Sequence, residues 1–168
     1  MSESVEFALR AMLIGVGATL GMDLWALLLR QFGVRSMNFA FLGRWVGHLP
    51  RRHWMHASIE KSAPVRGELA LGWATHYSIG ITFAALLLAI FGLKWARSPS
   101  LLPALVVGIV TVVAPLLVLQ PAMGAGVASS KTPRPVFSSL KSLVTHTVFG
   151  CGLYLAALGT SSWFAGAR

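Results

Sequence analysis

LALGWATHYSIGITFAALLLAIF (69–91) is an apolar run without a single acidic or basic residue apart from His76. About 20 such residues, wound as a helix, cross the hydrocarbon core of a bilayer, so this stretch decides the fold class. It has an echo in SLKSLVTHTVFGCGLYLAAL (139–158). Aligned without a gap, Gly72, Thr75, His76 and Gly80 fall opposite Ser142, Thr145, His146 and Gly150. In each run a small residue, a histidine and a glycine recur every four positions, which places them on one helix face. Such a stripe inside an apolar helix suits close packing on a neighbour.

The rest of the chain agrees with a membrane reading. Of 168 residues, 55% are hydrophobic and 11% charged, and the mean hydropathy is +0.70. Soluble domains carry about a quarter charged residues. The net charge of +9 sits in loops between apolar runs, as membrane topology requires. No recognition module or soluble basic face points to nucleic acid. Cys151 is the only cysteine, which excludes an intrachain disulfide.

Four spans are expected, at about 7–29, 69–91, 101–119 and 140–164, in a single membrane domain covering residues 1–168. The first is a poor signal peptide, because Glu3 and Glu6 accompany Arg10 ahead of it and no short apolar core with a cleavage site follows. It contains a GxxxG, Gly17 and Gly21, with Gly15 nearby, the pattern of a close helix contact. Pro115 in the third run removes a backbone donor and predicts a kink. Residues 120–135, rich in glycine and proline, read as a turn or loop.

Residues 30–68 form a long polar loop between the first two spans. Within it MNFAFLGRWVGHL (37–49) is too short to span. It reads as an interfacial helix, with Phe39, Phe41, Leu42, Trp45 and Val46 toward lipid and Arg44 toward headgroups, or as a loop over the bundle end. His48, His53 and His56 look like a metal cluster. No carboxylate or cysteine completes a ligand set, so a solvated basic loop is the preferred reading.

The basic residues Arg30, Arg35, Arg44, Arg51, Arg52, Lys61, Arg66, Lys131, Arg134 and Lys141 cluster on loops one and three, against Arg10, Lys94, Arg97 and Arg168 on the other side. The excess places loops one and three in the cytoplasm and both termini outside. Trp25 and Trp73 then lie toward the inner interface and Trp95 and Trp163 toward the outer one. The fold class is an all-α integral membrane four-helix bundle with a long cytoplasmic loop between helices 1 and 2. The matching Thr–His faces suggest two pseudo-repeated helical hairpins. The repeat breaks at Asp23, opposite which the third span holds no acid.

Asp23 lies seven residues before Arg30, His76 seven after Leu69 and His146 five after Lys141. At about 1.5 Å per residue all three sit roughly 8–11 Å inside the same ends of the helices. Gln120 and Thr145 fall near that level. Intramembrane charges are costly and face inward, paired or hydrated, so Asp23 is expected to pair with a histidine. Three readings compete. The first is a structural polar network that fixes the bundle's register. The second is a proton-linked or small-solute path through Asp23, His76 and His146. The third is a cofactor site, with haem b between His76 and His146 or a divalent metal held by both histidines and Asp23. A structural subunit of a larger membrane complex, or self-association through the glycine faces, is a further role. No nucleophile–base spacing or phosphate loop indicates an enzyme.

The stretches GATLGMDLWALLLR (17–30), GRWVGHLPR (43–51), VRGELALGW (65–73), THYSIG (75–80), LLPALVVGIVTVVAPLLVLQPAMGAG (101–126) and SLVTHTVFG (142–150) together resemble a bacterial family of small inner-membrane proteins known as domain of unknown function 2938. The resemblance covers nearly the whole chain. It implies a four-span bacterial membrane protein whose motifs include Asp23, His76, Gln120 and His146. It implies no activity, substrate or cofactor, and it leaves the three readings open.

Overall fold

The computed structural model describes residues 1–166, with side chains described through Trp163. Among the described residues every regular element is helical: α1 (Glu3–Gln31), α2 (Phe39–His48), α3 (Glu68–Arg97), α4 (Leu101–Val110) and α5 (Pro135–Gly166), with a π-helical stretch at Ala114–Leu119. Four segments are long and apolar enough to cross a membrane: Glu3–Gln31, Glu68–Arg97, Leu101–Ala122 and Pro135–Trp163. Only 22–33% of each apolar window is buried within the chain. Side chains such as Leu24, Ile90, Leu102, Val110 and Leu155 are exposed. An apolar exterior of this extent is what lipid requires and water penalises.

The helices begin and end where local chemistry allows. Ser2 caps α1 by accepting from the Val5 N–H, and Glu3 and Glu6 lie in the first turn, facing the positive end of the helix dipole. This carries α1 past the expected start at residue 7. Asn38 caps α2 through Ala40 N–H at 3.0 Å. In α3, Gly92 adopts φ 73°, a left-handed conformation that costs glycine little. The helix breaks there, at the expected end of the span. Pro135 opens α5, where its missing N–H costs nothing.

The third span changes its winding. α4 ends at Val110, and from Ala114 the chain takes π-helical turns in which the Gln120 N–H donates to Pro115 O. A proline cannot donate to the preceding turn, and a wider turn absorbs the mismatch.

The chain forms two compact units, each drawing on both halves of the sequence. The first contains Met1–Val34, Tyr77–Thr111 and the described residues from Thr145 onward. Its core is Ala11, Ile14, Ala18, Ala84, Leu87, Leu88, Trp95, Ala96, Ala104, Val107, Phe149, Leu153 and Ala157. Alanine dominates that core because helix backbones meet there. A Cβ added at Gly15 would lie 2.5 Å from Ile81 Cα and 2.8 Å from Gly80 O. One at Gly17 would lie 2.8 Å from Ala156 Cβ. Gly21 faces Gly152 in ordinary contact, and a Cβ at Gly80 would run into Thr19 Oγ1. Gly150 meets Ala104 O and Leu105 Cα, each 3.0 Å from its added Cβ.

The same unit holds a buried ion cluster. Glu6 Oε1 accepts from Arg10 Nε at 3.0 Å, and Glu6 Oε2 accepts from Arg97 Nη2 at 2.7 Å. Arg10, 1% exposed, also donates to Ala96 O at 2.8 Å. Trp95 is buried in the core, its indole N–H donating to Ser100 O at 3.1 Å.

The second unit contains Arg35–His76 and Val112–Val144. Here α2 crosses the start of α3 at two glycines. A Cβ on Gly43 would strike Glu68 O, and one on Gly72 would strike Phe39 O. The stretch 37–49 is therefore a helix over residues 39–48, but its faces differ from the interfacial expectation. Leu42 is buried, and Arg44 turns toward protein instead of headgroups. The physical reason is donor capacity: one guanidinium satisfies several loop carbonyls and a carboxylate at once.

Gly15→Ala should lower the thermal midpoint in detergent by the equivalent of about 1–3 kcal/mol, because both obstructing groups are backbone. Gly159 has nothing within 4 Å of an added Cβ, so Gly159→Ala should leave the midpoint unchanged or slightly raised. Equal behaviour of the two variants would contradict the close contact.

Candidate functional site

Asp23 sits eight residues before the end of α1, about 12 Å along the helix. Its Oδ2 accepts from the Tyr77 hydroxyl at 2.8 Å. Both side chains are partly buried and both belong to the first unit. The sequence reading named Asp23 but not its tyrosine, although Tyr77 follows His76 directly. Two residues along α1, the indole N–H of Trp25 is buried with no acceptor among the described residues.

His146 belongs to the same unit and is 8% exposed. Its Nδ1 lies 3.1 Å from Thr111 Oγ1. That hydroxyl also donates to Gly108 O at 2.7 Å. The Phe149 ring is 6.4 Å away. Thr145 beside it is half-buried. The backbone of α4 comes close here because Gly108 faces Gly150.

His76 belongs to the second unit. Its ring packs on Phe39 at 4.5 Å and on Trp73 at 6.0 Å. Gln120, also in the second unit, joins a hydroxyl network: Ser129 Oγ donates to Gln120 Oε1 at 2.9 Å, and Gln120 Nε2 donates to Ser142 Oγ at 3.3 Å. Ser142 in turn donates to Ser138 O at 3.1 Å.

The second unit also orders the loop from residue 49 to 67. Arg44 donates to Glu68 twice, Nε to Oε2 at 2.8 Å and Nη2 to Oε1 at 2.7 Å. Its Nη1 reaches the carbonyls of Ile59, Glu60 and Ser62, each at 3.1 Å. The ion pair with Glu68 raises the Arg44 pKa above its usual value, despite burial. Trp45 Nε1 donates to Trp54 O at 2.9 Å. His48, His53 and His56 are brought together beneath this clamp, with ring centres 5.1–6.2 Å apart. Burial, then the neighbouring charge of His56, holds the His48 pKa below the ordinary imidazole value.

Arg44→Met removes the clamp at conserved side-chain length. It should cost about 1–3 kcal/mol and expose Arg51, Arg52 and Lys61 to rapid tryptic cleavage. An unchanged digestion rate would show that the loop is held by other contacts.

A family model described as "Protein of unknown function (DUF2938)" matches residues 12–159. Comparison with curated proteins and with solved structures gives no match.

Proposed function

This chain belongs to the DUF2938 family, and we propose that it is a multi-pass inner-membrane protein that moves protons, or a small solute coupled to protons, with Asp23 as the proton-exchanging group. The observation that carries this reading is the hydrogen bond from Tyr77 to Asp23 within two membrane-length helices. A carboxyl group is expensive in hydrocarbon and is kept there when it works. The phenol hydroxyl can donate to the carboxylate, and it can equally accept from the protonated acid. The pair therefore accommodates both protonation states of Asp23 without a large rearrangement.

Two other features support the reading. His146 and Thr111 place a second hydrogen-bonded titratable group inside the first unit. The third span contains a π-helical stretch that includes Pro115, and such stretches occur often at functional sites. In this proposal loops one and three face the cytoplasm, following their excess of Arg and Lys.

The test is proton flux into liposomes holding the purified chain and an internal pH-sensitive dye. Asp23→Asn should reduce flux at least about 100-fold, the scale of a lost proton-transfer group, and leave the helical content unchanged. Tyr77→Phe should leave partial flux. Wild-type flux that survives Asp23→Asn would refute the assignment, and an absence of wild-type flux under every imposed gradient would refute proton movement itself.

A further inference from the structure

We propose that the hydrogen bond between His48 and His56 is an acid-sensitive latch. Near neutral pH it holds residues 55–58 on the turn at 122–124, and protonation of both rings releases them. His48 is the last residue of α2 and is 7% exposed. Its Nδ1 lies 2.8 Å from His56 Nε2, with one hydrogen between the two nitrogens. In the neutral pair one ring donates and the other accepts. A first added proton goes to the free outer nitrogen of the donating ring. The bond then has an imidazolium as donor, a stronger arrangement. A second added proton has to occupy the accepting nitrogen. Both nitrogens of an imidazolium carry hydrogen, so two N–H groups then face each other and the bond is lost, whichever ring donated first.

The bond lies where the loop is fastened. His56 N–H donates to Ala122 O at 2.9 Å and Ile59 N–H to Met123 O at 3.0 Å. A Cβ on Gly124 would strike Ala57 O, so backbone meets backbone here. The His56 ring thus joins the end of α2 to the segment that rests on the turn. The side-chain tethers on either side do not titrate between neutral and mildly acid pH. Trp45 Nε1 holds Trp54 O, and Arg44 holds the carbonyls of Ile59, Glu60 and Ser62. Acid therefore frees the residues between these tethers and leaves the ends of the segment in place.

The charged groups around the pair oppose the second proton while the loop is closed. On the loop, the His53 ring centre is 5.4 Å from that of His56 and 6.2 Å from that of His48. Arg51, just after α2, lines the same pocket as the three rings, a space of about 310 Å³ that also brings water to them. Both residues repel added positive charge. From the start of α3, Glu68 attracts it, but both of its carboxylate oxygens accept from Arg44. Arg52, Glu60 and Lys61 are exposed, where solvent screens them. The turn at 120–127 has no ionisable side chain. Burial, then the charge of His56, lowers the His48 pKa, and a backbone hydrogen bond to Ala63 acts the other way. A ring whose pKa is lowered in the closed loop binds more protons once released. Falling pH therefore favours release, at values below the ordinary imidazole pKa.

The test is hydrogen exchange of the full chain in detergent at about pH 7.5 and about pH 5, either side of the imidazole range. Mass spectrometry reads residues 55–58, and the intrinsic pH dependence of exchange is divided out. Protection of this segment, which contains the His56 N–H, should fall at least about tenfold at the acid value, while α1 and α5 keep theirs. His56→Gln offers His48 a side-chain amide that donates or accepts as needed and does not titrate. It should hold its protection at both values. His53→Ala, at an exposed position, leaves the latch bond intact and should release in acid as the wild type does. Asp23→Asn should do the same, which separates the latch from the intramembrane site. The proposal is overturned if the wild type is equally protected at both values, if His56→Gln loses as much as the wild type, if His53→Ala or Asp23→Asn no longer responds, or if α1 and α5 lose protection together with the loop.

Discussion

The structure depends on backbone approach at glycine. In hydrocarbon there is no water to expel between helices, so packing and internal hydrogen bonds must hold them together. Gly15 against Gly80 and Ile81, and Gly108 against Gly150, let main chains meet where any Cβ would intervene. The alanines around them continue the same thin contact. Many large apolar side chains, such as Leu24, Ile90, Leu102, Val110 and Leu155, face outward, unlike those of a water-soluble domain. The second unit uses the same device for another purpose. Gly43 and Gly72 bring α2 onto the start of α3, and the Arg44 clamp then becomes possible.

Polar groups follow from the same solvent. Most hydroxyls in the spans return to their own helix: Thr19 to Gly15 O, Thr75 to Leu71 O, Thr82 to Ser78 O, Thr160 to Ala157 O. Such bonds silence a polar group at little cost. Asp23 with Tyr77, and Thr111 with His146, link side chains on different helices. The Glu6, Arg10 and Arg97 cluster does so too, but near the helix ends, where Arg10 also closes on Ala96 O. Its guanidinium and carboxylate saturate each other, which suits a fastener. Asp23 accepts from the Tyr77 hydroxyl at its Oδ2.

Much of this was legible in the sequence, and the reasons for the rest are physical. Length and hydropathy located the four membrane-length segments, and Gly92 stops the second near residue 91, as the apolar run does. Helix ends were underestimated at Glu3 and Pro135, because a polar residue in a first turn extends a helix and need not end it. The Gly17 and Gly21 motif does face a helix, at Ala156 and Gly152, yet Gly15 makes the tighter contact. At Pro115 the chain takes π-helical turns, a winding that the sequence does not specify. Long-range partners were not readable. Nothing in the spacing joins Arg44 to Glu68 or Tyr77 to Asp23. The convergence of the three loop histidines depends on a left-handed Arg52 and on the Gly124 contact, neither of which has a sequence signature.

The central claim is that Asp23 exchanges a proton within the membrane span. Infrared difference spectroscopy of the chain in bilayers, taken across a pH step, reports it most directly. The account predicts a carboxyl stretching band that responds to pH, disappears in Asp23→Asn and shifts in frequency in Tyr77→Phe, since the phenol hydrogen bond sets it. A pH-difference spectrum identical in the wild type and Asp23→Asn would contradict the account, because it would mean that Asp23 keeps one protonation state throughout.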